Sequence, residues 1–262
     1  MKEHFSLRGR TALVTGAGRG IGAAVAKELA TLGCHLILAG RTAERLQAVE
    51  AEIKADDNQA SSSSIDTLPV DICEKEWLTA LCDQDDAIDI FIHCAATFAD
   101  YGPLEERTDE EIRAVIETNL TAALRISGAL LPQMKKNNYG ILLFIGSRAA
   151  SLGAANQVLY ATAKGGLEAL VRSLTAENAR FGIAAHLLEL GLIDTERTHE
   201  SMTDSTRRRM AAGTPAGRIG TPEDVAAAVR YLVSPDAIYL RGITLRIDGG
   251  MGLGLAPTNE PR

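Results

Sequence analysis

A doubly wound α/β sheet is the fold class that the sequence predicts, and three observations predict it. Short apolar runs alternate with longer runs of helical periodicity along nearly the whole chain. Several of the short runs are too continuously apolar for half-exposed strands, which places them in a parallel sheet covered on both faces. The first of them leads directly into a glycine-rich turn that opens the first helical run, as in a strand–turn–helix crossover.

The elements follow in order. TALVT (11–15), HLILA (35–39), TLPVD (67–71), IDIFIH (88–93), ILLFI (141–145), IAAHLLEL (183–190) and ITLRI (243–247) read as seven strands. Helical spacing fills 20–32, 43–55, 74–84, 110–136, 158–180 and 222–233. Right-handed crossovers then give one seven-stranded parallel sheet with helices on both faces. The run SSSS (61–64) behind DDNQA reads as a solvated loop. With no internal repeat and no linker, the expectation is a single domain over 1–262, its halves meeting near residue 145. The polar stretch 191–221, with a short helical piece around 199–212, follows the sixth strand at the carboxyl edge where ligands bind. It reads as a movable lid; a plain surface excursion is the alternative.

Composition excludes several classes. A chain of 262 residues with 46% hydrophobic content can bury a sizeable core. A net charge of −7 lacks the positive field that nucleic acid or an anionic membrane requires. Cys34, Cys73, Cys82 and Cys94 show no metal-ligand spacing and read as reduced thiols, so no metal site is expected. No apolar stretch follows the basic N-terminus closely enough for a signal peptide, and none is long enough to span a membrane. A cytoplasmic protein is the expectation.

At the first crossover the sequence reads TGAGRGIG, Thr15 to Gly22. Gly16, Gly20 and Gly22 let the backbone turn tightly and approach a pyrophosphate held at the N-terminus of the next helix. A strand before the turn and a helix after it supply the context of a dinucleotide site. About 20 residues on, where a carboxylate would hold the adenosine ribose, the chain has Gly40 and then Arg41. Arg41 and Arg19 are two guanidinium groups able to pair with a 2′-phosphate, so NADP(H) is expected in preference to NAD(H).

The second cluster lies in IGSRAASLGAANQVLYATAKGG (145–166), where Ser147, Tyr160 and Lys164 stand among small and apolar residues. Tyr160 and Lys164 are four apart and share a helix face. Ser147 ends the fifth strand at the ligand edge. A free phenol titrates near 10, and a nearby ammonium favours its phenolate. Tyr160 is then the general acid of carbonyl reduction or the general base of alcohol oxidation, and Ser147 stabilises charge on the carbonyl oxygen.

On these residues the chain resembles the short-chain dehydrogenase/reductases over essentially its whole length. The resemblance implies a Rossmann fold and the catalytic set Ser147, Tyr160, Lys164 and Asn119, with Asn119 holding a water that relays protons to the lysine. It also implies cofactor contacts from Gly16, Arg19, Gly20, Ile21, Gly22, Asp71, Ala95, Tyr160, Lys164, Ile193 and Thr195, with Asp71 at the adenine end and Thr195 at the nicotinamide carboxamide. His93-Cys94-Ala95-Ala96 and Leu190-Gly191 depart from the usual Asn-Asn-Ala-Gly and Pro-Gly. A His93–Cys94 redox or metal pair is disfavoured because adjacent strand residues point to opposite faces. Glu189 reads either as a substrate contact or as an ion-paired residue.

Within the family the sequence is most similar to the 3-oxoacyl-(acyl carrier protein) reductases. That implies an NADPH-dependent ketoreductase acting on a β-ketoacyl thioester or similar ketone. The alternatives are an alcohol or sugar dehydrogenase working oxidatively, and a cofactor-binding scaffold or sensor without turnover. The family also implies a homotetramer paired through the helices at 110–136 and 158–180 and the last strand, with Ala122, Ala123, Ala161 and Ala169 on the packing faces.

Overall fold

The computed structural model describes residues 5–56, 64–82 and 87–254. Seven parallel strands form one sheet: β1 (Thr11–Thr15), β2 (His35–Gly40), β3 (Ile65–Pro69), β4 (Ile90–His93), β5 (Gly140–Ser147), β6 (Ile183–Leu190) and β7 (Thr244–Ile247). Their spatial order is β3-β2-β1-β4-β5-β6-β7, so the winding reverses between β1 and β4. This is the Rossmann arrangement, with a crevice at the carboxyl end of the sheet where the order reverses.

The central strands β1, β4 and β5 are almost wholly buried, which is why their sequences show no alternation. One face is covered by α1 (Gly20–Thr31), α2 (Ala43–Lys54) and α10 (Pro222–Leu232), whose Leu29, Leu46 and Val229 meet Val14, Leu36 and Leu188. The other is covered by α3 (Glu76–Cys82), α5 (Ala122–Asn137) and α7 (Val158–Asn178), with Ile126 and Leu167 against Phe91 and Phe144. No helix among the described residues is long and apolar enough to cross a membrane.

Several boundaries differ from expectation. β3 runs two residues earlier than 67–71 and ends at Pro69, which has no N–H to continue the ladder. Ser61 to Ser63 and residues 83–86 lie outside the described residues, so the expected loop and the end of the expected 74–84 helix are not placed. The expected helix 110–136 is three pieces: α4 (Asp109–Ile116), a π-helical turn over Glu117–Thr121, and α5. The wider turn changes the phase of the faces beyond it. Ala122 and Ala123 consequently lie in the core and not on an outer face, whereas Ala169 is exposed and Ala161 half-buried.

Candidate active site

A cavity of about 770 Å³ opens at the carboxyl end of the sheet and brings both sequence clusters together. Gly16, Arg19, Gly20, Ile21, Gly22, Arg41, Asp71 and Ala95 line one part of it; Ser147, Tyr160, Lys164, Ile193 and Thr195 line the rest. Of the expected site residues, Asn119 alone is not on the wall.

The glycine turn is shaped by close approaches. A Cβ on Gly22 would stand 2.2 Å from the Gly16 carbonyl oxygen, and one on Gly16 would stand 2.8 Å from the Ala95 backbone. Gly16 and Gly20 also have φ of 70° and 53°, which other residues rarely adopt. α1 starts at Gly20, and no side chain caps its N-terminus. An uncapped helix end with free N–H groups, opening into a cavity, fits a dinucleotide's diphosphate.

Arg41 is exposed, lines the cavity and forms no hydrogen bond or ion pair among the described residues. Arg19 instead pairs with Glu200, Nη1 to Oε1 at 3.0 Å. Arg45 also lines this end of the cavity, a residue that the sequence reading missed. Its signal was available: a second arginine one turn beyond Arg41, at the start of α2. Asp71 accepts a hydrogen bond from the Cys73 amide at 2.9 Å, which fixes the turn after β3.

Ser147 ends β5 and caps α6 (Arg148–Leu152), a single turn that the sequence reading did not foresee; its Oγ accepts from the Ala149 amide at 3.2 Å. Tyr160 and Lys164 project from α7, and the Phe98 ring stacks on the Tyr160 ring at 4.5 Å. Lys164 is fully buried, and its ammonium donates to the Ile145 carbonyl at 2.9 Å. Burial pushes Lys164 down to about 8. Burial also pushes Tyr160 up to about 12, against a lowering hydrogen bond with Ser147. The expectation that Lys164 draws the phenol down is therefore corrected: desolvation dominates, and the ammonium, 5.5 Å from the ring centre, is engaged by a backbone carbonyl.

Asn119 sits in the π turn, fully buried, and donates from Nδ2 to the carbonyls of Thr97 (2.6 Å) and Val115 (2.9 Å). Its Oδ1 has no partner among the described groups. π turns are frequent at functional positions, and a mid-helix asparagine was the sequence signal. Thr195 caps α8 (Glu196–Ser201), accepting from the Thr198 amide at 3.4 Å.

His93 is buried against Phe91 and Phe144, shares a 3.1 Å hydrogen bond with Thr15, and is pushed down to about 3 by burial, so it is neutral. Burial raises the Cys94 thiol to about 12. No cluster that could hold a metal occurs among the described residues, and Cys34, Cys73 and Cys94 are unpaired thiols. The Cys82 side chain lies outside the described residues.

A family model described as enoyl-(acyl carrier protein) reductase matches residues 16–252, nearly the whole chain. The chain is a short-chain dehydrogenase/reductase. This oxidoreductase is 35% identical over 247 residues to the 3-oxoacyl-[acyl-carrier-protein] reductase of Vibrio cholerae, covering 94% of the chain and 99% of the relative. It is 32% identical over 248 residues to that of Mycobacterium tuberculosis, covering 94% of each. Among solved structures, a putative gluconate dehydrogenase from Agrobacterium tumefaciens superposes with a TM-score of 0.87 at 29% identity, covering 95% of this chain and 98% of its own. A putative NAD(P)-dependent gluconate 5-dehydrogenase from Beutenbergia cavernae with bound NADP does so with a TM-score of 0.86 at 32%, covering 94% and 98%.

In this reductase-family chain Glu189 is the ion-paired residue of the two alternatives. It is buried, with its Oε2 3.0 Å from Arg148 Nη1 and 3.0 Å from Arg246 Nε. Arg148, the residue after Ser147, also pairs with Asp248 at 2.9 Å and donates to Ser151 Oγ at 2.8 Å and to the Met251 carbonyl at 3.1 Å. This buried cluster ties α6 to the ends of β6 and β7. Burial works to raise the Glu189 carboxyl, but hydrogen bonds from Ser151, Arg148 and Arg246 outweigh it and hold the group below its usual value.

Arg148→Met, which keeps the length and removes the charge, strands buried carboxylates and is expected to cost about 3–5 kcal/mol in urea unfolding at neutral pH. A depressed carboxyl pKa contributes stability above the unfolded value of 4.5 that is lost as pH falls through the folded one. The gap between wild type and variant is therefore expected to narrow on acidification below that value. A constant gap, or one that widens in acid, contradicts the assignment.

Proposed function

We propose that this short-chain dehydrogenase/reductase is an NADPH-dependent ketoreductase acting on a β-ketoacyl thioester or a similar ketone with an apolar arm. The observation that carries the reading is the placement of Ser147, Tyr160 and Lys164 in one cavity with the glycine turn. Bound along that cavity, the nicotinamide cofactor supplies the hydride. Tyr160 donates the proton to the carbonyl oxygen, and Ser147 holds that oxygen as its charge develops. Lys164 holds the nicotinamide ribose. Asn119, through its unpartnered Oδ1, holds the water that returns a proton towards Lys164. Gly16, Gly20, Ile21, Gly22, Asp71, Ala95, Ile193 and Thr195 shape the cofactor's seat.

Burial of the phenol bears on the pH dependence. With Tyr160 at about 12, the group carries its proton throughout the neutral range, the protonation state from which reduction starts. Oxidation needs the phenolate, so its rate is expected to rise about tenfold per pH unit through the neutral range while reduction stays nearly flat. Steady-state profiles in both directions check this; an oxidation rate independent of pH contradicts it.

The substrate end of the cavity combines large apolar side chains with polar ones, among them Arg107, Asn156, Gln157 and Arg197. Phe98, Tyr101, Leu152 and Val158 are large side chains left exposed at its mouth, and Met202 and Met210 from the polar segment line it too. Such a concentration of exposed apolar surface marks a binding site. The names of the curated relatives support the ketoacyl reading, whereas those of the structural neighbours support oxidation of a polyhydroxy acid.

The deciding experiment follows NADPH oxidation with 3-ketoacyl thioesters of increasing chain length and with a ketogluconate. The expected result is turnover of the thioesters, and turnover of the ketogluconate alone overturns the reading. Segment 191–221 is read as a lid, and the assembly as a cytoplasmic homotetramer.

A further inference from the structure

Helix α8 lies beside the glycine turn, with Glu200 paired to Arg19 and the Glu196 carboxylate next to Gly20. Glu196 Oε2 is 3.4 Å from the point where a Cβ on Gly20 would stand, beside the uncapped N-terminus of α1. Four residues on, Glu200 Oε1 is 3.0 Å from Arg19 Nη1. Residues at this spacing share a helix face, so one short helix presents two anionic groups to one surface. The N-terminus of α8 is capped by Thr195 and Thr198, and Glu196 in its first turn also favours the helix dipole. Glu196 forms no hydrogen bond or ion pair among the described residues, and Arg19 has Glu200 as its ion-pair partner.

We propose that α8 is an intramolecular stand-in for the cofactor's phosphates: Glu196 occupies the place of the diphosphate and Glu200 that of the 2′-phosphate. The inference rests on the reading of Arg19 and the α1 N-terminus as the phosphate site. On binding, the phosphates displace both carboxylates while Thr195 stays at the cofactor's seat. Glu200 is thereby a specificity-determining residue, because it competes with NADPH and not with NADH, which lacks the 2′-phosphate. Glu196 opposes both cofactors alike. The Arg19–Glu200 pair is 38% and 52% exposed, so it is weak and screened, as a releasable clasp must be.

The test is a fluorescence titration of wild type, Glu200→Gln, Glu196→Gln, Arg19→Ala and the Arg19→Ala/Glu200→Gln double variant with NADPH and NADH, at low and high salt. Glu200→Gln is expected to tighten NADPH roughly two- to fivefold and to leave NADH unchanged. Glu196→Gln should tighten both by a similar factor. Both gains should shrink at high salt, and the double variant should bind NADPH no better than Arg19→Ala alone. In the cofactor-free protein, Glu200→Gln should also speed tryptic cleavage within the lid, a readout independent of binding. If Arg19→Ala weakens NADPH but Glu200→Gln does not tighten it, the stand-in is overturned while the phosphate site survives. If Arg19→Ala leaves NADPH affinity untouched, the phosphate role of Arg19 fails and the proposal fails with it.

Discussion

Tyr160→Phe is expected to leave NADPH affinity nearly unchanged and to lower turnover by roughly 10²–10⁴-fold, the usual contribution of a positioned general acid. The substitution removes one hydroxyl and keeps the ring, so the stack with Phe98 at 4.5 Å survives. The buried ammonium of Lys164 also keeps its hydrogen bond to the Ile145 carbonyl. The loss should appear equally in kcat and kcat/KM, since the proton is delivered in the transition state. Stopped-flow titration of NADPH together with steady-state rates on the preferred ketone measures both quantities. Turnover within tenfold of wild type would refute the role of the phenol.

Much of the fold was legible because its signals are local. The wholly buried strands β1 and β6 begin and end where their apolar runs do, and α1 starts at the last turn of the glycine motif. Ser147, Tyr160 and Lys164 were legible for a related reason: a strand end and a four-residue helix spacing fix where each side chain points.

What escaped the sequence depends on contacts between distant residues or on departures from regular periodicity. The Arg148–Glu189 pair joins residues 41 apart, and nothing local distinguishes either from a surface charge. The π turn at Glu117–Thr121 is a single widened turn inside an otherwise helical pattern, so regular periodicity alone puts Ala122 and Ala123 on the wrong face. The expected helical piece at 199–212 is two helices, α8 and α9 (Asp204–Ala212), divided where Thr203 caps the second. The altered Tyr160 pKa also needs the fold, because desolvation depends on everything packed around the phenol.

Gly40→Asp combined with Arg41→Ala is expected to reverse the proposed cofactor preference, from NADPH to NADH. Gly40 ends β2 with an ordinary backbone, and a Cβ there would meet the Leu46 side chain at 3.4 Å, a normal contact that lets an aspartate fit. That carboxylate would accept the ribose hydroxyls of NADH and repel the 2′-phosphate of NADPH. Removing Arg41, which is exposed and has no protein partner among the described residues, takes away a charge-assisted contact worth roughly 1.5–3 kcal/mol, or about one to two decades of NADPH affinity. Arg45 sits on the same wall and is expected to retain part of that affinity, so Arg41→Ala alone should cost less than Arg41→Ala/Arg45→Ala. Arg19 is expected to contribute less than its position suggests, because Glu200 already engages it. All of these differences should diminish as salt rises, since the groups are exposed. Titrating wild type and the three variants with both reduced cofactors decides the matter: equal wild-type affinity for the two, or an unchanged ratio in Gly40→Asp/Arg41→Ala, would mean that the wall formed by Gly40, Arg41 and Arg45 does not read the 2′-phosphate.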